Sequence, residues 1–168
     1  MKLDSLKENM ESFWDNLAEG WRHLTQFASG ALTRFRAGES TNLPDRESVD
    51  DQAFLPTRSW AVIGGEMFED ESRLVLRLEL PGVEKKDLSI DVHDDRLEVS
   101  GEKRFESEST EGRWRVMQCA YGAFRRSMPL PVRVISEKAQ ATYHNGVLRV
   151  ELPKATPGAP RSVKIDIQ

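Results

Sequence analysis

Apolar residues recur along this chain with two different periods. In the first stretch Leu3, Leu6, Met10, Phe13, Trp14, Leu17, Trp21, Leu24, Phe27, Ala31, Leu32 and Phe35 lie mostly three or four apart. That spacing draws one apolar stripe along an α-helix, with Gly20 and Gly30 as points where it breaks. Ser5 and Glu8 have the spacing of a capping box at its start. An amphipathic, aromatic helical arm is therefore predicted over residues 1–37. Residues 38–59 then read GESTNLPDRESVDDQAFLPTRS, polar and broken by two prolines, with Phe54 and Leu55 as isolated apolar spots. Such a stretch has little with which to build a core, and it reads as a flexible linker.

From residue 60 to residue 154 the period drops to two. RLVLRLEL sets Leu74, Leu76, Leu78 and Leu80 on one face before Pro81-Gly82 ends the run. DLSIDVH does the same with Leu88, Ile90 and Val92, and RLEVSG with Leu97 and Val99; a short polar turn, HDDR, joins them. ATYHNGVLRVEL is the strongest hairpin signal: Asn145-Gly146 suits a turn that needs positive φ, between Ala139, Ala141, Tyr143 and Leu148, Val150, Leu152. Short alternating strands without helices between them predict an all-β antiparallel sandwich or barrel. Past residue 154, Pro157, Gly158 and Pro160 cut off a last short alternation, Val163, Ile165 and Ile167. A lone strand at 155–168 cannot bury its apolar side or satisfy its own backbone, so it needs an edge to join.

Composition changes the picture mainly by exclusion. The chain has 168 residues, 38% apolar and 31% charged, with a net charge of −4. An acidic balance offers no basic stripe for nucleic acid. No apolar run approaches a membrane span, and the acid-rich polar face of the arm (Asp4, Glu8, Glu11, Asp15, Glu19) is a poor match to anionic headgroups. The mixed charges of the first residues are not those of a secretory signal, and the single cysteine, Cys119, excludes an internal disulfide. A soluble, cytoplasmic protein is expected.

Candidate chemistry is sparse. Phosphate-loop, dinucleotide, zinc-protease and serine-hydrolase motifs are absent. His23, His93 and His144 fall in different elements without metal spacing, and Asp94-Asp95 reads as a solvated turn. Cys119 is expected to be a small buried hydrophobe, unless Arg115, Arg125 and Arg126 converge to activate its thiol. No catalytic residue, cofactor or metal is expected.

Against that background the strand region resembles a known family. LELPGVEKKDLSIDVHDDRLEVSGEK is similar to the first half of the α-crystallin domain of small heat shock proteins, and YGAFRRSMPLP to its later strand. AQATYHNGVLRVELPK is similar to its final hairpin, and IDI to the Ile-x-Ile motif of its C-terminal extension. The ordered set runs over roughly residues 60–167 and resembles the family's bacterial members. It departs at Gln118-Cys119, where the family usually carries Glu-Arg ahead of Tyr-Gly, an arginine that helps form ion pairs near the dimer interface.

The resemblance implies an immunoglobulin-like β-sandwich at 60–154, with the arm before it and an extended tail after it. It implies an ATP-independent chaperone whose partners are itself, as a dimer and then a large homo-oligomer, and unfolding client proteins. Arg113, Trp114, Arg115, Val116 and Met117 would form a strand exchanged within the dimer. Ile165 and Ile167, with Val163, would dock in a groove of another dimer walled by Leu88, Ile90, Val92, Ala141 and Tyr143. The arm, through Leu6, Met10, Phe13, Trp14, Leu17, Trp21, Leu24 and Phe27, would bind clients. The competing readings are a monomeric sandwich-type co-chaperone and a membrane-surface stress protein.

Overall fold

Nine strands are present among the described residues of the structure, a computed structural model that describes 30–38, 41–93, 95–107 and 112–158. The arm through Phe27 and the tail residues Val163, Ile165 and Ile167 lie outside them. The chain divides into two units, 1–32 and 33–168, and only residues 30–32 of the first are described.

The strands are β1 (Leu32–Arg36), β2 (Arg58–Val62), β3 (Gly65–Glu69), β4 (Arg73–Glu79), β5 (Leu88–Val92), β6 (Arg96–Lys103), β7 (Gly122–Pro129), β8 (Gln140–His144) and β9 (Val147–Pro153). They form two sheets, ordered β2-β1-β7-β6-β5 and β3-β4-β9-β8. The pairings of β4 with β9 and of β6 with β7 are the longest ladders, and both are antiparallel. The all-β sandwich expected from the alternation is what the chain forms.

The apolar faces predicted for 74–80, 97–99 and 148–152 form the core. Leu74, Leu76, Leu78 and Leu80 from β4 and its end are buried against Leu97 and Val99 of β6 and Leu148, Val150 and Leu152 of β9 in one cluster. Fully burying a leucine contributes roughly 1.5–3 kcal/mol, so these positions dominate the energetics of the fold. The Asn145-Gly146 turn has φ of 50° and 76°, the pair of positive angles that a two-residue hairpin requires. Gly146 O then accepts the Leu80 N–H at 2.7 Å, tying the hairpin tip to the β4–β5 connection.

Residues 32–36 overturn the end of the expected helix. They form β1, with Thr33 and Phe35 buried and Arg34 and Arg36 exposed. Leu32 and Phe35 satisfy a three-residue spacing, but the burial follows a period of two that a polar threonine disguised. Phe35 pairs with Phe124 on β7, their rings 5.2 Å apart.

The stretch expected as a linker makes defined contacts. The buried Thr41 hydroxyl accepts from Gly38 N–H at 3.0 Å and donates to Glu102 at 3.2 Å. Val49 and Phe54 are buried with Met117 in a second cluster, apart from the main core. Phe54 is thus no isolated spot, although Leu55 remains exposed. The partners come from a different loop, 104–121, which no local pattern could announce.

Candidate docking edges

The candidate site is built from sheet edges. β5 ends the first sheet and β8 the second, so among the described residues each has one side unpaired. Leu88, Ile90 and Val92 alternate with exposed Ser89 and Asp91, and all three are half-buried against the main core. Tyr143 on β8 is half-buried against the same core, whereas Ala141, on the same face of β8, is exposed. The Tyr143 hydroxyl lies 2.8 Å from Leu80 O and 2.7 Å from Val83 O and is shared between them. Burial pushes its titration upward, as expected for a phenol donating to carbonyls out of water. β8 is thereby fixed to the connection that leads into β5. The five predicted groove residues thus sit on two edge strands, with β8 anchored by this tyrosine to the connection before β5, and half-buried apolar side chains at such an edge can take up an added strand.

The 113–117 segment is paired within its own chain. Trp114 bridges Val49 in parallel: Trp114 N–H donates to Ser48 O at 3.1 Å, and Asp50 N–H to Trp114 O at 2.8 Å. Arg113 and Arg115 both pair with the Asp50 carboxylate, Arg113 at 2.8 Å. The two guanidiniums, Arg113 first, hold that carboxyl below its ordinary value. Asp51 accepts from Met117 N–H at 3.1 Å and Ala53 N–H at 2.9 Å. Met117 is buried, Trp114 packs edge-on against Phe105 at 5.3 Å, and Val116 is 63% exposed.

Cys119 is exposed, which corrects the buried reading. The apolar cluster takes Met117 and the core takes Ala120, and the chain between them turns the thiol outward beside the Tyr121 hydroxyl. The three arginines that the alternative reading would bring to it are engaged elsewhere: Arg115 with Asp50, Arg125 with Glu98, and Arg126 with Ile63 O.

Lys154 is the feature that sequence reasoning underrated. It is buried, and its ammonium donates to Glu69 at 2.7 Å and to Asp70 O at 3.2 Å, and also to Gly158 O. Gly158 N–H donates in turn to Glu71 O at 2.7 Å. These bonds fix the root of the tail to the β3–β4 turn. The only signal in the sequence was a lysine placed directly after an apolar strand. Val49-Asp50 against Arg113-Trp114-Arg115, one acid facing two arginines beside an apolar pair, was the other signal that went unread.

Among the described residues no group of three or more His, Cys, Asp or Glu side chains is placed to hold a metal, and no helix is long and apolar enough to cross a membrane. Small heat shock protein C2 of Rickettsia felis is 31% identical over 97 residues, which is 58% of this chain and 63% of that protein. The 17.5 kDa class I heat shock protein of Glycine max is 30% identical over 150 residues, 88% of this chain and 94% of that protein. Heat shock protein 16.0 from Schizosaccharomyces pombe has a similar fold, with a TM-score of 0.54 at 30% identity over 63% of this chain and 97% of that one. Residues 66–168 match the model of the Hsp20/alpha crystallin family, a span that holds β4 to β9 and most of β3, with β1 and β2 before it. The chain belongs to that family, whose members are chaperones.

Proposed function

We propose that the chain is an ATP-independent holdase that binds unfolding proteins through the apolar stripe of residues 1–37, stored as an oligomer of dimers. The observation that carries this reading is the pair of unpaired edges, β5 and β8, lined by half-buried Leu88, Ile90, Val92 and Tyr143. The chain's own Ile165-Asp166-Ile167 has the alternation to fill such a groove on a neighbouring dimer. Burying two isoleucines contributes on the order of 3–6 kcal/mol. Ordering the tail and joining two bodies offset much of it. One tail therefore binds weakly, while several around a closed shell bind tightly and still open singly. Within the dimer, the strand at 113–117 pairs with the unpaired side of β3 in a second copy. That edge carries a 62% exposed Phe68, while its Glu66 and Glu69 are paired with Arg77 and Lys154 of their own chain.

Light scattering on a sizing column tests the reading, with the intact chain beside Ile165→Gly/Ile167→Gly. The expected result is a large assembly that falls to dimers in the variant. A monomer in both samples would instead favour a co-chaperone working alone.

A further inference from the structure

The outer face of the first sheet carries a cluster of charge that the holdase reading does not use. Phe35 faces Phe124 and Arg36 faces Ala123 across β1 and β7, and the same register continued sets Arg34 opposite Arg125. On the other side of β7, Ser100 of β6 faces Arg125 and Glu102 faces Ala123. Phe35 and Phe124 point into the core, so their neighbours Arg34, Arg36, Ala123 and Arg125 point outward, with Ser100 beside them.

Two like charges thus stand directly across a strand pair, where Cβ atoms lie about 5 Å apart and the repulsion costs stability. Arg36 follows one pleat repeat along β1, about 7 Å from Arg34. The carboxylates of β6 on this face are committed: Glu98 takes Arg125 at 3.1 Å, and Glu102 accepts the Thr41 hydroxyl at 3.2 Å. Among the described residues neither Arg34 nor Arg36 meets a carboxylate. Three guanidiniums therefore have one acid between them, in a chain whose net charge is −4. The floor between them is low because Ala123 and Ser100 are small. What results is an open depression of about 600 Å³ with arginine walls and one hydroxyl.

We propose that this depression binds a free inorganic chain of linked phosphates, with Arg34, Arg36 and Arg125 on its oxygens and the Ser100 hydroxyl as a further donor. Guanidinium forks match phosphate oxygens two by two. A single phosphate is only a few times the size of a water, about 30 Å³, and would leave most of the depression to solvent. Linked phosphates fill it and reach all three arginines. Bound across β1 and β7, the anion turns the repulsion between Arg34 and Arg125 into a bridge. That bridge reinforces a short ladder, in which only Phe35–Phe124 and Arg36–Ala123 pair in register.

The test is calorimetric titration of the full chain with inorganic tripolyphosphate at low ionic strength, beside orthophosphate and a nucleoside triphosphate. One site per chain is expected, weakening as salt is added. Arg34→Gln and Arg36→Gln should each raise the dissociation constant about tenfold. Arg133→Gln removes the same charge from an exposed position elsewhere and should leave it within about twofold. Tripolyphosphate should also add hydrogen-exchange protection at Thr33–Arg36 in the parent but not in Arg34→Gln; Arg36→Gln serves in its place if that variant does not fold. The nucleoside triphosphate, with one end of its phosphate chain esterified, should bind more weakly. Tighter binding of the nucleotide, or orthophosphate binding as tightly as tripolyphosphate, would overturn the free-chain assignment. Absence of binding by the parent, or equal losses in Arg34→Gln and Arg133→Gln, would overturn the site itself.

Discussion

Lys154 has three ammonium protons and three acceptors within reach: the Glu69 carboxylate, Asp70 O and Gly158 O. Burial of a charge is tolerable on those terms, and removing it leaves all three acceptors stranded. Lys154→Ala is expected to lower the unfolding free energy by about 3 kcal/mol, read from urea denaturation. The neighbouring Asp70 shows the other way a charge is held. Its carboxylate accepts from Ser72 N–H at 2.8 Å, the Ser72 hydroxyl at 2.9 Å and Arg73 N–H at 2.9 Å, which lowers its pKa from 3.8 to about 2. A depressed folded-state value means the stabilisation is complete above pH 3.8 and disappears as pH falls through about 2. Asp70→Asn should therefore lower the urea midpoint at pH 5, and the gap to the parent should narrow towards pH 2.

At the level of elements, β1 depends on a single glycine opposite it. Gly122 has a φ of 109°, and a Cβ there would sit 2.3 Å from Arg36 O. Gly122→Ala should detach β1 from β7, seen as loss of hydrogen-exchange protection at Thr33–Arg36 while the β8–β9 hairpin keeps its own. The sequence told these two regions apart in legibility for a physical reason. β4, β5, β6 and the hairpin write their burial in a strict alternation of leucine, isoleucine and valine, and Asn145-Gly146 states its turn in two letters. β1 hides its period behind Thr33, and the loop cluster has no period at all, because Val49 and Phe54 find Met117 some sixty residues away. The alternating faces of the candidate groove strands β5 and β8 were legible, but the Tyr143 hydroxyl that fixes β8 to the β4–β5 connection depends on a fold already formed.

For the molecule as a whole, the proposed activity requires apolar surface that is hidden at rest and released under stress. An aromatic stripe left permanently in water would be an aggregation hazard. Replacing Phe13, Trp14 and Trp21 with serine should reduce protection of a heat-denatured model client by several-fold, followed by turbidity. Protection equal to that of the parent would remove the arm from the mechanism. The parent's own protection should rise with temperature as weak tail contacts open. Lys154 also bears on this scale. It fastens the chain at Gly158, and Ile165 lies seven residues further on. A peptide spans at most about 3.6 Å per residue, so that leash is about 25 Å at full stretch. On the proposed reading a side chain inside the sandwich thus acts as the fixed end of a ruler: it sets the radius within which another groove can be found, and with it the curvature a closed shell can adopt.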